Sequence, residues 1–266
     1  MTIHHDWQSD AAQVPIRIGS LQGLTGKRLF DVALALALLL PLSAVMLGVA
    51  GLLLLTQGRP VLYLSERMRA PGQPFRLIKF RTMVPVDSDG GATGGHKSWR
   101  ISRLGRILRR SRCDELPQIF NILAGDMSFV GPRPPLREYV ERFPGRYGQV
   151  MQMRPGVTGL ATLICHAHED RILARCLSPA ATQSAYYRRC LPVKLRLEMV
   201  YLRRQTLRLD LWIIANTVAT VMLPGWKRWR RRGRPGNEAG TRSAGRKRGH
   251  QFRAPENDYG GGLPGL

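Results

Sequence analysis

The dominant feature of the hydrophobic pattern is a stretch from Val32 to Thr56, VALALALLLPLSAVMLGVAGLLLLT, in which no charged residue occurs and no polar face repeats. Coiled as one helix at about 1.5 Å per residue, it is long enough to cross a hydrocarbon core of roughly 30 Å. A cleaved signal peptide fits poorly, because the apolar run of such a leader is about 7–15 residues long. Pro41 lies mid-stretch, where it removes one helical hydrogen bond and crowds the preceding turn. Ser43 offers a hydroxyl to the carbonyl so freed. Lys27 and Arg28 precede the stretch and Arg59, Arg67, Arg69 and Lys79 follow it, so the positive-inside bias draws both flanks toward the cytoplasm. Two courses are open: a spanning helix with a proline kink, or a re-entrant hairpin that breaks at Pro41 and Ser43.

Beyond it the period changes. Val61–Leu64 and Phe75–Phe80 read as strands joined through Ala70-Pro-Gly-Gln-Pro74. Val86 to Ser98 reads as a glycine-rich mobile loop; Asp87-Ser-Asp89-Gly opens like a calcium loop, but Ser98 stands where the closing glutamate belongs. Ile101, Leu104, Ile107 and Leu108 recur at helical spacing, with arginines on the other faces. Glu115 to Leu123 reads as a short helix closed by Gly125. Turns dominate after Gly131 until helical patterns resume over Tyr186–Arg204 and Leu207–Leu223. These patterns divide the chain into a loose arm (1–26), an apolar segment (27–58), a folded body (59–225) and a basic, disordered tail (226–266). Trp226-Lys-Arg-Trp-Arg-Arg-Arg232 in that tail either rests on an anionic leaflet or stays solvated.

Composition narrows the function. The 266 residues carry 41 Lys+Arg against 18 Asp+Glu, a formal charge of +23, which points to polyanionic partners: nucleic acid, an anionic bilayer or phosphorylated substrates. The 4 cysteines form no Cys-x-x-Cys pair, which favours free thiols in a reducing compartment. Cys165, His166 and His168 lack a second ligand pair nearby and read as loop or packing residues rather than a zinc site.

The chemistry concentrates in Arg109-Arg-Ser-Arg-Cys-Asp114-Glu115-Leu-Pro-Gln118. An aspartate at the start of a helix is ordinarily an N-cap, worth about 1 kcal/mol. Asp114, however, keeps company with Arg109 and Arg112, and with Arg133 and Arg154, each held in a proline-stiffened turn. Guanidinium forks suit phosphate oxygens. A carboxylate ionised among them can hold Mg²⁺ or attack phosphorus.

Five ordered motifs, Lys27-Arg-Leu-Phe-Asp31, Lys79-Phe-Arg-Thr-Met83, Asp114-Glu-Leu-Pro-Gln118, Asn121 through Pro134 and Arg154-Pro-Gly-Val-Thr-Gly159, resemble the bacterial sugar transferase family, the monotopic polyprenyl-phosphate phosphoglycosyl transferases. The resemblance covers about Lys27 to Leu223. It implies Asp114 as nucleophile with Glu115 as its partner, Mg²⁺ as cofactor held at Asp114, and Arg109 and Arg133 as phosphate-binding residues. Lys79, Arg154 and Glu198 match motif positions of less defined role. The implied reaction passes a phosphosugar from a nucleotide diphosphate sugar, a UDP-sugar, to polyprenyl phosphate, and starts a surface glycan. The implied architecture is α/β and mostly helical: a re-entrant hairpin at the bacterial inner membrane, a compact catalytic domain on the cytoplasmic face and amphipathic interfacial helices. No block of membrane helices precedes the motifs, as in the small class of the family. Two departures stand out. The family breaks its hairpin at a Ser-Pro pair where this chain has Ser43-Ala44. It also continues after Gly159 with an aromatic, Gln and Asn-Gly-Arg pattern, replaced here by Leu160 to Asp170. The rival class is a membrane-tethered nucleic-acid-binding protein, for which Asp114 has no role and binding falls steeply with salt. The transferase reading expects no nucleic acid.

Overall fold

The computed structural model describes residues 21–84 and 95–223. The arm over 1–20, most of the glycine-rich loop with its calcium-like opening, and the basic tail lie outside the described residues. The rest is mostly helical, with two small two-stranded sheets.

Helix α1 (Leu21–Gln57) is long and apolar enough to cross a membrane. Only 11% of its most apolar window is buried, so it is no core helix of a water-soluble fold, and it gives the chain a membrane-associating segment. Helical hydrogen bonding continues through Pro41 and Ser43, with Pro41 inside the helix. Ser43 Oγ donates to the Leu40 carbonyl at 2.6 Å, a local back-bond to the preceding turn of the same helix.

Strands β1 (Leu62–Ala70) and β2 (Gln73–Phe80) form an antiparallel hairpin about Pro71-Gly72. Gly72 has φ of 71°, the left-handed value that a turn with proline in the preceding position calls for. Both strands exceed the expected spans, since the ends of β1 alternate charged and apolar residues. The expected loop ends earlier, in a 3-10 turn over Gly95–Arg100. Helix α2 (Arg103–Ser111) starts two residues after Ile101, capped by Ser102 Oγ, which accepts from the Gly105 amide at 2.8 Å.

Helix α3 (Gln118–Ala124) ends at Gly125, φ 91°. It is tied to the hairpin by Asn121, whose side chain accepts from the Ile78 amide at 3.0 Å and donates to the Arg76 carbonyl at 2.8 Å. Together α1, β2, α2 and α3 enclose one apolar cluster around Phe75, Phe80, Leu108 and Ile122.

Between Gly125 and Tyr186 the chain is more regular than the turn-rich sequence suggests. Strand β3 (Ser128–Val130) pairs in parallel with β4 (Gly156–Thr158), and helices α4 (Arg137–Arg142), α5 (Pro144–Val150), α6 (Leu160–Leu173) and α7 (Pro179–Ala185) fill the rest. Helix α6 packs on α8 (Leu191–Arg204), which is preceded by a π-helical turn at Tyr186–Cys190, and α9 (Leu207–Met222) follows.

The β3–β4 crossing explains two glycines by proximity rather than by backbone angle. A Cβ on Gly156 would lie 2.1 Å from the Gly131 nitrogen, and one on Gly131 would lie 2.4 Å from the Arg154 carbonyl oxygen. Both neighbours are backbone and cannot swing away. Gly156→Ala is therefore expected to destabilise the protein by about 3 kcal/mol. A thermal melt in detergent checks this; an unchanged melting temperature would contradict the close packing.

Candidate active site

Helix α2 ends abruptly at Arg112, a non-glycine residue at φ 58°, whose amide reaches back to the Arg109 carbonyl. That left-handed turn costs about 1 kcal/mol or more in a residue with a Cβ. It throws the next three residues, Cys113–Glu115, into a separate 3-10 turn between α2 and α3. The expectation of a helix starting at Glu115 is thus corrected: α3 begins three residues later, with Pro117 just before it. Asp114 caps no helix, which removes its ordinary structural role.

The two carboxylates are treated in opposite ways. Glu115 accepts from Arg133 Nη2 at 2.9 Å and from Arg112 Nη1 at 3.2 Å. Burial works against its charge, but Arg133 and Arg112 override burial and hold the carboxyl at about 2. Asp114 is only 8% exposed, and its Oδ1 is sealed from solvent without a hydrogen bond among the described residues. Burial first, and the adjacent Glu115 second, push it up to about 6, while Arg109, Lys79 and Arg112 pull the other way. At neutral pH Asp114 is an ionised carboxylate with an unoccupied oxygen, a form competent either as nucleophile or as metal ligand.

The Lys79-Phe-Arg-Thr motif spreads its side chains around this turn. Lys79 lines the cleft in front of it, with Nζ 5.2 Å from the centre of the Tyr63 ring. Burial, together with Arg67, Arg133 and Arg109, lowers Lys79 to about 8. Phe80 is buried in the core. Arg81 donates to the carbonyls of Gln57 and Gly58 at 2.6 and 2.9 Å, tying off the end of α1. Thr82 Oγ1 accepts from Arg109 Nε at 2.9 Å, which fixes that guanidinium near Asp114.

Lys79, Glu115 and Arg133 are thus brought to one cleft, with Asp114 and Arg109 beside it. Glu198 and Arg154 are not. Glu198 is buried on α8 behind the Gly131–Arg133 turn, where it accepts from the Arg133 backbone; burial raises it to about 8 against the pull of Lys194. Its position suits support of the turn, not contact with a substrate. Arg154 is exposed, and its guanidinium makes no hydrogen bond among the described residues. Cys165 is buried in α6, and His166 Nδ1 lies 3.4 Å from Asp170 one turn on. Sequence reasoning missed two residues lining the cleft, Arg67 and Gln118. The alternation Tyr63, Ser65, Arg67 was the available signal for the first, since it puts Arg67 on the same face of the hairpin as Lys79.

Residues 22–224 match the family model described as bacterial sugar transferase. The chain belongs to that family. Among its relatives, the UDP-N-acetylgalactosamine-undecaprenyl-phosphate N-acetylgalactosaminephosphotransferase of Aeromonas hydrophila is 32% identical over 201 residues, 74% of this chain and 43% of that protein. The UDP-glucose:undecaprenyl-phosphate glucose-1-phosphate transferase of Xanthomonas campestris pv. campestris is 34% identical over 205 residues, 75% of this chain and 39% of that protein. The exopolysaccharide production protein ExoY of Sinorhizobium fredii is 34% identical over 165 residues, 55% of this chain and 73% of that protein. The chain therefore spans less than half the length of the first two. In this member of the family the first motif serves the scaffold. Lys27 pairs with Asp210 at 2.5 Å, Asp31 accepts from the Phe129 amide at 3.2 Å, and Arg28 caps α3 through the Ile122 carbonyl at 2.6 Å.

Proposed function

We propose that the protein transfers a phosphosugar from a UDP-sugar to polyprenyl phosphate through a covalent intermediate on Asp114. The observation that carries this reading is the Asp114 carboxylate, ionised at neutral pH, with one oxygen lacking a hydrogen bond among the described residues and Lys79, Arg109 and Arg112 around it. In the first half-reaction a carboxylate oxygen attacks the sugar-proximal phosphorus. An O–P bond forms, the bond to the bridging oxygen breaks, and UMP leaves with that electron pair. In the second, a phosphate oxygen of the polyprenyl phosphate attacks the same phosphorus, and the Asp114–phosphorus bond breaks to restore the carboxylate. Polyprenyl diphosphate sugar is the product. Arg133 and Lys79 hold phosphate oxygens at the cleft, and Glu115 fixes Arg112 and Arg133 in place.

Mg²⁺ fits the site through a single protein oxygen. The described residues include no group of three or more His, Cys, Asp or Glu able to bind a metal, and Glu115 is committed to its two arginines. Asp114 is left as the ligand, and one carboxylate plus substrate phosphates is an ordinary magnesium environment. The ion would supply charge compensation for the diphosphate.

A re-entrant course for α1 is supported by its ties. Arg28 is bound to the end of α3, Gln57 to Arg81 just past β2, and α3 to β2 through Asn121. A straight helix would hold Arg28 and Gln57 about 43 Å apart. The contacts joining them pass through one helix end and a few residues of strand. Ala35 and Leu53, both 0% exposed, also share one apolar cluster, so a bend near Pro41 accounts for both observations. This course places the cleft beside a bilayer, where a lipid phosphate is accessible, and the basic flanks favour the cytoplasmic face of the inner membrane. The ExoY name supports a first membrane step in exopolysaccharide synthesis or another surface glycan. The nucleic-acid alternative finds no support in this geometry, since the cations converge on carboxylates in a cleft.

Transfer of labelled phosphosugar from UDP-sugars into lipid tests the reading. Adduct formation without acceptor should follow a bell in pH, because Asp114 must be ionised, above about 6, and Lys79 protonated, below about 8. A rate that keeps rising from pH 6 to pH 10 would contradict these roles.

A further inference from the structure

We infer that Arg67 and Gln118 form a phosphate-binding pair in the cleft, receiving a substrate phosphate group that Asp114 does not attack. The inference deepens the transferase reading and rests on it. Arg67 on β1 and Lys79 on β2 project from one face of the hairpin, opposite Phe75 and Tyr63 respectively, and both line the cleft. The other inward-turned arginines there have partners: Arg112 and Arg133 share Glu115, and Arg81 binds three carbonyls. Arg67 has none among the described residues. Its Nε is sealed from solvent without a hydrogen bond, and its strongest electrostatic neighbours are Arg133 and the phenols of Tyr139, Tyr186 and Tyr63, with no carboxylate among them. Arg67 is half-buried, a guanidinium whose Nε is sealed without an anion is a costly arrangement, and its planar fork is matched to phosphate.

Gln118 is the independent observation. It is 3% exposed, lines the same cleft, and its side chain makes no hydrogen bond among the described residues. Its amide is uncommitted to protein, and the NH₂ offers two donors to phosphate oxygens without adding charge. Beside Lys79, and with Arg133 shared with Glu115, Arg67 and Gln118 are cleft-lining polar side chains with no hydrogen-bond partner among the described residues.

Inorganic pyrophosphate is the first probe, read as thermal protection of the full chain in detergent. The wild type should be protected, with the midpoint weakened at least about tenfold in Arg67→Met and severalfold in Gln118→Leu. Kinetics then separate the two phosphate sources. A raised KM for UDP-sugar in adduct formation, with normal discharge by polyprenyl phosphate, assigns the pair to the donor diphosphate. Normal adduct formation with a raised KM for polyprenyl phosphate assigns it to the acceptor. Either supports the inference. Pyrophosphate protection and both KM values within twofold of wild type in the variants would overturn it. Should Arg67→Met fail to fold, Arg67→Lys decides: weakened pyrophosphate protection at an unchanged melting temperature supports the fork, and wild-type protection overturns it. A wild type that binds pyrophosphate through Arg67 but transfers no phosphosugar would sink the transferase reading and leave the anion site standing.

Discussion

Asp114→Asn is expected to abolish phosphosugar transfer and, at the same time, to make the folded protein more stable at neutral pH. Loss of a covalent nucleophile should lower turnover by at least about 10³-fold, since no other carboxylate at the cleft is free to attack: Glu115 is bound by two arginines. The stability gain follows from the carboxyl being raised to about 6 from an ordinary 3.8. Between those values the folded protein binds a proton that the unfolded chain has released, so stability falls as pH rises through the window. A shift of this size corresponds to about 2 to 3 kcal/mol above pH 6. Asparagine carries no such penalty. Melts of the two proteins should therefore diverge at pH 8, with the variant higher, and converge at pH 4. A variant less stable at pH 8 would mean that the Asp114 charge is structurally required.

Glu115→Ala should have the opposite effect on stability and also impair activity. It leaves Arg112 and Arg133 without their shared anion, and with it the contact that holds Arg112 in its left-handed turn. Removing one partner of a sealed ion pair costs about 3–5 kcal/mol; the Arg133 side chain is 42% exposed, which screens the loss to about 2–3 kcal/mol. Transfer should fall about 100-fold, as Arg133 is no longer aimed into the cleft. The Glu115 contribution to stability is present above the ordinary glutamate value of 4.5 and disappears only as pH falls through about 2. The wild type should therefore keep this anchor throughout the range in which Asp114 titrates. Melting and transfer assays on Glu115→Ala and Glu115→Gln check both effects. Near wild-type turnover in either would show that the arginines are positioned by something else.

How much of this was legible in the sequence depended on whether a residue's partner lies nearby along the chain. Val32–Thr56 announced α1 by composition alone, and the hairpin and α9 by period. The Asp114–Glu115 pair stood out because its arginines crowd the same segment. Helix α6 was not legible: its buried positions Ala161, Cys165 and Leu173 make no continuous apolar stripe, and its sequence is mixed on every face. Strands β3 and β4 are three residues each, and what holds them is the close approach of Gly131 and Gly156, a contact between segments far apart in sequence. The start of α3 was misplaced because the left-handed Arg112 interposes a separate turn, and a non-glycine residue gives no warning of that conformation. Arg67 looked like one more flanking charge until strand pairing set it beside Lys79. Gln118 carried no signal beyond its place in the Asp114–Gln118 motif until α3 docked against β2.

The most direct measurement is mass spectrometry of the full chain incubated with a UDP-sugar and Mg²⁺ in the absence of polyprenyl phosphate. The account predicts a mass increase equal to one phosphosugar, localised by peptide fragmentation to Asp114 and discharged when polyprenyl phosphate is added. Transfer at full rate by a protein that never carries that mass, or carries it on another residue, would contradict the account.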